Sequence, residues 1–159
     1  MYTRASTNSP GPLINPPTYI EYKDKRFLIV DAPSKNNLPL YIQAKPLTEK
    51  KIEVHDWVFG DGEAPPSHIV DVWLDLIESR FTRQDHTMHD GNTPCIATHC
   101  VAGLGRAPVL VAIALIEEGM PALDAVAYIR ERRRGAINNK QLKFIEAYRP
   151  RSKSRCIIS

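Results

Sequence analysis

Cys100 and Arg106 are separated by five residues in the run His99-Cys100-Val101-Ala102-Gly103-Leu104-Gly105-Arg106. The apolar run Cys95 to Thr98 before it reads as a buried strand. Pro108 to Ile116 after it reads as a buried helix, with Pro108 near its first position and Gly119 just past its end. A loop between such elements opens onto a helix N-terminus, where unpaired amides and the helix dipole attract an anion. Gly103 and Gly105 tolerate positive φ, so the amides of Val101, Ala102, Gly103, Leu104 and Gly105 can turn inward as a nest. Arg106 offers a planar fork to two phosphate oxygens. The same field favours the thiolate of Cys100, the form that attacks phosphorus and yields a thiophosphate intermediate.

Such an attack needs a group that protonates the leaving oxygen. Asp61, between Gly60 and Gly62 in a loop, is the first candidate, and Glu63 the alternative. Asp71 lies one turn into the next helix, either orienting Arg106 or the loop or standing as an exposed carboxylate. His99 either bonds neighbouring backbone to fix the loop or is a satisfied core histidine. Gln141, on the last helix, either positions a water or is a solvated helix side chain. His86, His89, Cys95, His99 and Cys100 together suggest zinc, but Cys100 has the better assignment as nucleophile. We expect no metal and no cofactor. At about 3.3 Å per residue of strand, Cys95 is too distant to form a disulfide with Cys100.

The elements that must hold these groups follow from pattern. Tyr19–Tyr22 and Arg26–Val30 read as strands joined at Lys23-Asp24-Lys25. Ile52–Trp57 reads as a further strand, and Leu40-Tyr41-Ile42 as a short one between Pro33, Pro39 and Pro46. A helix from Ser67, as N-cap, to about Phe81 has the stripe Ile69, Val70, Trp73, Leu76 and Ile77. Further helices run from about Pro121 to Arg133, burying Leu123, Val126, Ala127 and Ile129, and from Asn139 to Tyr148. Alternating strands and helices predict an α/β domain with a mostly parallel sheet. Residues 1–17 read as a disordered leader, 18–148 as the domain, and 149–159 as a basic tail.

The 159 residues, 43% hydrophobic, suffice for one domain with a core. No apolar run is long enough to span a membrane, and no signal peptide follows Met1. Three cysteines, an odd number, point to a reducing compartment. The net charge of +3 is uneven: residues 130–155 hold ten Lys/Arg and two acids, so the rest of the chain is acidic. That asymmetry fits an anionic surface.

The cradle and its surroundings resemble the PRL phosphatases (phosphatases of regenerating liver). The likeness covers His99 to Ala112, Ala114-Leu115-Ile116-Glu117, Arg133-Arg134-Gly135-Ala136, Asn139-Lys140-Gln141-Leu142 and Tyr148-Arg149-Pro150. Upstream it covers Asp56-Trp57, Phe59, Asp61-Gly62, Ala64-Pro65-Pro66, Ile69-Val70-Asp71, Trp73-Leu74 and the first strands. The resemblance implies the dual-specificity phosphatase fold, with Cys100 as nucleophile, Arg106 as clamp and Asp61 as general acid. It implies slow turnover, because Ala107 stands where most Cys-dependent phosphatases carry Ser or Thr. It also implies phosphorylated protein substrates (or a phosphorylated lipid), and binding of CNNM-type magnesium transport mediators through the same pocket.

Cys156-Ile157-Ile158-Ser159 is a prenylation box, and Ser at its end favours farnesyl. One prenyl chain anchors weakly. Arg149, Arg151, Lys153 and Arg155 supply a second signal, each worth on the order of 1 kcal/mol near anionic lipid. The expected partner surface is therefore a membrane rather than nucleic acid. The expected location is the cytoplasmic face of the plasma membrane or endomembranes, or the cytosol if Cys156 is unmodified. Two departures stand out. Val58 and Gly60 replace the family's Pro and Asp. Residues 31–51 are about twenty residues too short, without the family's helix, buried strand and second Cys of a regulatory disulfide. A less stable domain, a bare sheet edge and the loss of that switch are expected. A binding module in which chemistry is incidental, and a chain that does not fold, are the competing readings.

Overall fold

The computed structural model describes residues 15–32, 53–82 and 94–151. The expected strand Leu40-Tyr41-Ile42, the candidate ligands His86 and His89, and the prenylation box at Cys156 lie outside them. The elements are β1 (Thr18–Tyr22), β2 (Lys25–Asp31), α1 (Ser67–Thr82), β3 (Ile96–Cys100), α2 (Arg106–Glu117), α3 (Ala122–Arg132) and α4 (Asn139–Ala147).

The strands form one sheet in the order β1-β2-β3. Period-two burial in β1 and β2 sends Ile20, Phe27 and Ile29 to the core. β1 and β2 pair antiparallel as a hairpin, with Thr18 opposite Ile29. β2 and β3 pair parallel, with Asp31 opposite Cys100. The sheet is thus mixed among the described residues. β3 runs two residues beyond the expected Thr98, so Cys100 is fixed by the last rung of a ladder rather than by a free loop.

The apolar helix α2 fits against the sheet. It is buried from Ala107 to Ile116 and packs between β2, β3 and helices α1, α3 and α4. The α1 stripe closes one side: Trp73 stacks obliquely on Phe27 at 5.8 Å and donates its indole N–H to the Leu110 carbonyl at 2.7 Å. Helix α1 begins on Ser67 itself, and the Pro66 carbonyl accepts its first amide bonds, so Ser67 is not the N-cap. In α3 the buried face is Ala125, Val126 and Ile129, whereas Leu123 is 57% exposed. No helix among the described residues is long and apolar enough to cross a membrane.

Two expectations need correction. Residues 53–57 form no strand. Trp57 packs edge-on against Trp73 at 6.0 Å, and the Glu53 carboxylate pairs with His55 at 2.9 Å and with Arg80. The segment therefore lies over α1, where its backbone has no ladder to join, and Val54 stays exposed. The leader also ends sooner than expected. Asn15 bonds the Ala102 carbonyl at 3.4 Å, and the Pro16 carbonyl accepts from Arg133 at 2.9 Å, so residues 15–17 belong to the domain.

Candidate active site

Every carbonyl of the loop between β3 and α2 is taken by a donor from outside it. The Val101 oxygen accepts from the Ala32 amide at 3.0 Å, and Leu104 from the Ile137 amide at 2.7 Å. Ala102 and Gly103 accept from the Arg133 guanidinium, and Gly105 from the Val109 amide. In a trans peptide the N–H points opposite to the C=O. The amides of residues 102–106 that follow these carbonyls therefore face the other way, away from those donors, which is the arrangement an anion nest requires. Cys100 sits at its base, 8% exposed.

The two glycines serve different ends. Gly103 has φ +62, and a Cβ there would run into Arg133 and come within 2.7 Å of the Val30 carbonyl. Gly105 has φ −115, so the expected positive φ is absent. Its missing side chain instead leaves room for Gln141 and Asp61, whose atoms would lie 3.3 and 3.8 Å from a Cβ.

Arg106 begins α2. One guanidinium nitrogen donates to the Phe59 carbonyl at 3.4 Å. Its Nε lies 3.6 Å from Asp61 Oδ1, which is ion-pair distance but too long for a hydrogen bond. That Nε is buried without a hydrogen-bond partner. A donor left orphaned beside inward-facing amides is what a bound oxyanion would satisfy. The acid loop thus meets the cradle directly, with the Asp61 carboxylate exposed next to Arg106. Glu63, the alternative acid, pairs with Lys140, so its carboxylate is engaged away from the cradle. Asp61 is the better donor.

The other expected residues divide. Ala107 is 1% exposed directly behind Arg106 and puts no hydroxyl there. Gln141 is fully buried and not a solvated side chain. Its Oε1 accepts the Asn138 amide at 3.1 Å and its Nε2 donates one hydrogen to the Glu63 carbonyl at 3.1 Å, so it holds the acid loop. His99 is exposed on the outer face of β3 and is not a core histidine, because strand alternation puts it opposite in facing to Cys100. Asp71 is not near Arg106: its exposed carboxylate lies 3.8 Å from Arg151. Cys95 faces the same way as His99, and desolvation pushes its thiol up, with Arg26 partly opposing. No group of three or more potential metal ligands occurs among the described residues.

Two residues matter that sequence reasoning did not single out. Arg133, 3% exposed, donates to the carbonyls of Ala102, Gly103, Pro16 and Ile29 and to Thr18 Oγ1 at 2.9 Å. Its position in a run of three arginines hid it, since only the turn after α3 decides which one points inward. Ile137, 2% exposed, is held at φ +63, a region that β-branched residues rarely enter. Its amide bonds Leu104 in the cradle, and its carbonyl accepts from Arg130 at 2.6 Å. No side-chain property announces such a backbone.

Comparison with known proteins agrees with this geometry. The Protein-tyrosine phosphatase family model matches residues 20–148. A probable protein tyrosine phosphatase type IVA A of Dictyostelium discoideum is 44% identical over 165 positions, covering 92% of this chain and 95% of its own. That span exceeds the 159 residues here, so the relative has positions without a counterpart in this chain. Human protein tyrosine phosphatase type IVA 3 is 42% identical over 158 positions, covering 87% of each. A solved protein tyrosine phosphatase structure from Leishmania major superposes with TM-score 0.70 at 40% identity, covering 84% of this chain and 99% of its own.

Proposed function

The chain belongs to the protein tyrosine phosphatases, in their type IVA or PRL branch, and from that premise we propose a slow two-step reaction through a phosphocysteine at Cys100. In the first step Cys100 Sγ attacks phosphorus. The S–P bond forms as the P–O bond to the substrate breaks, and Asp61 gives its proton to the leaving oxygen. The inward amides and Arg106 hold the three equatorial oxygens, whose charge they stabilise without reorganising. In the second step water attacks phosphorus, its proton passes to Asp61, and the thiolate leaves. Ala107 offers that thiolate no hydroxyl, so the second step is slow and the phosphoenzyme accumulates.

The observation that carries this reading is the outward engagement of all five loop carbonyls. Mixing enzyme with an aryl phosphate is expected to release a burst of phenol equal to the enzyme, with alkali-stable, acid-labile phosphate on Cys100 after denaturation at neutral or alkaline pH. Cys100→Ser abolishes both. Linear release with no label on the protein would overturn the reading.

The proposed setting is the cytoplasmic face of a membrane, reached through a prenyl group on Cys156 and the basic tail, with phosphorylated proteins as substrates and a phosphorylated lipid as the alternative. Arg151 contributes less than a free arginine to the basic signal, since it pairs with Asp75 at 3.1 Å and with Asp71. Cys156→Ser is expected to release the protein into the soluble fraction.

A second reading is favoured by Ala107 and by the exposure of Asp61: the pocket serves to dock a CNNM-type transporter regulatory domain. Binding that survives Asp61→Ala and fails once Cys100 is phosphorylated would support it, and equal affinity in both states would remove it.

A further inference from the structure

The first turn of α4 grips both halves of the site. Asn138 and Gln141 form a capping box: Asn138 Oδ1 accepts the Gln141 amide at 2.9 Å, and Gln141 Oε1 accepts the Asn138 amide at 3.1 Å. That uses only the oxygen end of each side-chain amide. The nitrogen ends reach across to the acid loop, 76 and 78 residues earlier in the chain. Asn138 Nδ2 donates to the Gly62 carbonyl at 3.0 Å, and Gln141 Nε2 to the Glu63 carbonyl at 3.1 Å. Lys140 adds its ion pair to the Glu63 carboxylate.

Two backbone features show that this approach is built in. Gly62 takes φ +72, and a Cβ there would meet Asn138 Nδ2 at 3.0 Å, so the loop presents bare backbone to the cap. On the other side the strained Ile137, next to Asn138, bonds the Leu104 carbonyl of the cradle. Residues 137–141 therefore bind cradle and acid loop to one rigid helix end. Glycines on both sides of Asp61 would otherwise leave the acid loose.

We propose that Asn138 is a positioning residue for proton transfer: its hydrogen bond to Gly62, acting with Gln141, fixes Asp61 over the Cys100–Arg106 cradle. This rests on the reading of Asp61 as general acid given above. It also assigns the capping amides a second role, beyond ending a helix.

The variant that isolates the bond is Asn138→Ser. Serine caps as well as asparagine, but its hydroxyl is too short to reach the Gly62 carbonyl. Asn138→Asp is the companion, since it keeps the cap oxygen and the shape but has no donor. With the full-length protein, kcat/KM is compared for an activated aryl phosphate, whose leaving group needs no proton, and for phosphotyrosine, whose leaving oxygen does. Asn138→Ser is expected to lower phosphotyrosine hydrolysis relative to the activated ester by about fivefold, the size of one neutral hydrogen bond. Asp61→Asn shifts the same ratio further, and the double variant adds nothing to Asp61→Asn alone. Equal losses on both substrates in both Asn138 variants would mean a purely structural cap and overturn the proposal, as would an unchanged ratio or fully additive effects. If Asp61→Asn itself leaves the ratio unchanged, the general-acid reading falls; if it shifts the ratio and Asn138→Ser does not, only the tether falls.

Discussion

Replacing Arg133 by methionine is the sharpest test of how the cradle is held. The guanidinium is buried and donates to four carbonyls and a hydroxyl, two of the carbonyls being those of Ala102 and Gly103 in the loop itself. Methionine fills much of the volume and removes every donor. Hydrogen bonds from a charged group contribute about 1.5–3 kcal/mol each, and dismantling a buried charged network costs about 3–5 kcal/mol in all, since effects within one network are not additive. A loss of about 4 kcal/mol is a large part of a domain's stability of about 5–15 kcal/mol. The functional consequence is more specific. Without Arg133 the Ala102 carbonyl keeps only the 3.4 Å bond from Asn15, so it and the Gly103 carbonyl can turn inward, and each peptide that flips replaces an inward amide with an outward one. Oxyanion affinity should fall at least tenfold in whatever fraction stays folded. Arg133→Lys keeps the charge but not the fork, and should fall between the two. Urea unfolding gives the stability, and protection of Cys100 from alkylation by orthovanadate gives the affinity. An Arg133→Met protein with unchanged urea midpoint and unchanged vanadate protection would refute the argument that the carbonyls must be held outward.

Gly105→Ala puts a methyl within 3.3 Å of Gln141 and 3.8 Å of Asp61, and is expected to loosen the acid loop, lowering kcat/KM for phosphotyrosine while the melt moves little. Tyr148→Phe removes the hydroxyl that donates to Glu117 at 2.5 Å and should cost about 1–2 kcal/mol in urea unfolding. Burial first, then the bond and charge of Glu117, hold the Tyr148 hydroxyl well above the usual tyrosine range. A raised value in the folded state means that Tyr148 favours folding below the ordinary tyrosine value and that this contribution is lost at higher pH. The phenylalanine variant should therefore lose stability less steeply than the parent above about pH 10. Orthovanadate at a hundred times its dissociation constant should stabilise the protein by about 2.7 kcal/mol and raise the melting temperature by roughly 5–10 °C, a cooperative transition being the premise; a transition that does not move removes the oxyanion site.

The chemistry was legible where it depends on residue type near a predictable element. A cysteine at a strand end, an arginine at a helix start and glycines between them specify the cradle because each requirement is local. Helices α1 to α4 were legible through their apolar stripes and the small residues at their ends. Sequence reasoning failed where long-range pairing decides. Ile52–Trp57 reads as a strand, but residues 53–57 join no ladder and Trp57 packs on Trp73. Asp71 and His99 sit close to the site in sequence, yet helix phase and strand alternation turn them elsewhere. Arg133 could not be told from its arginine neighbours without knowing the turn after α3. The second use of the α4 capping amides depends on a contact with Gly62 and Glu63 that no local window contains.

The shortened connection at residues 31–51 need not disable the site, for a geometric reason. Among the described contacts, the cradle is shaped from both sides of residues 33–51. Arg133, Ile137 and the α4 cap lie after the loop in sequence, α2 continues directly from it, Ala32 just past β2 bonds it directly, and Pro16 and Thr18 bond Arg133, which in turn holds it. The acid loop is held from α4 as well. Whether a further strand flanks β3 depends on residues 33–52, which lie outside the described residues. The positions of Cys100, Arg106 and Asp61, however, are set by bonds to other elements. Of the described cysteines, Cys95 and Cys100 are both free, Cys95 just before β3 and Cys100 at its end, so neither is bonded to the other.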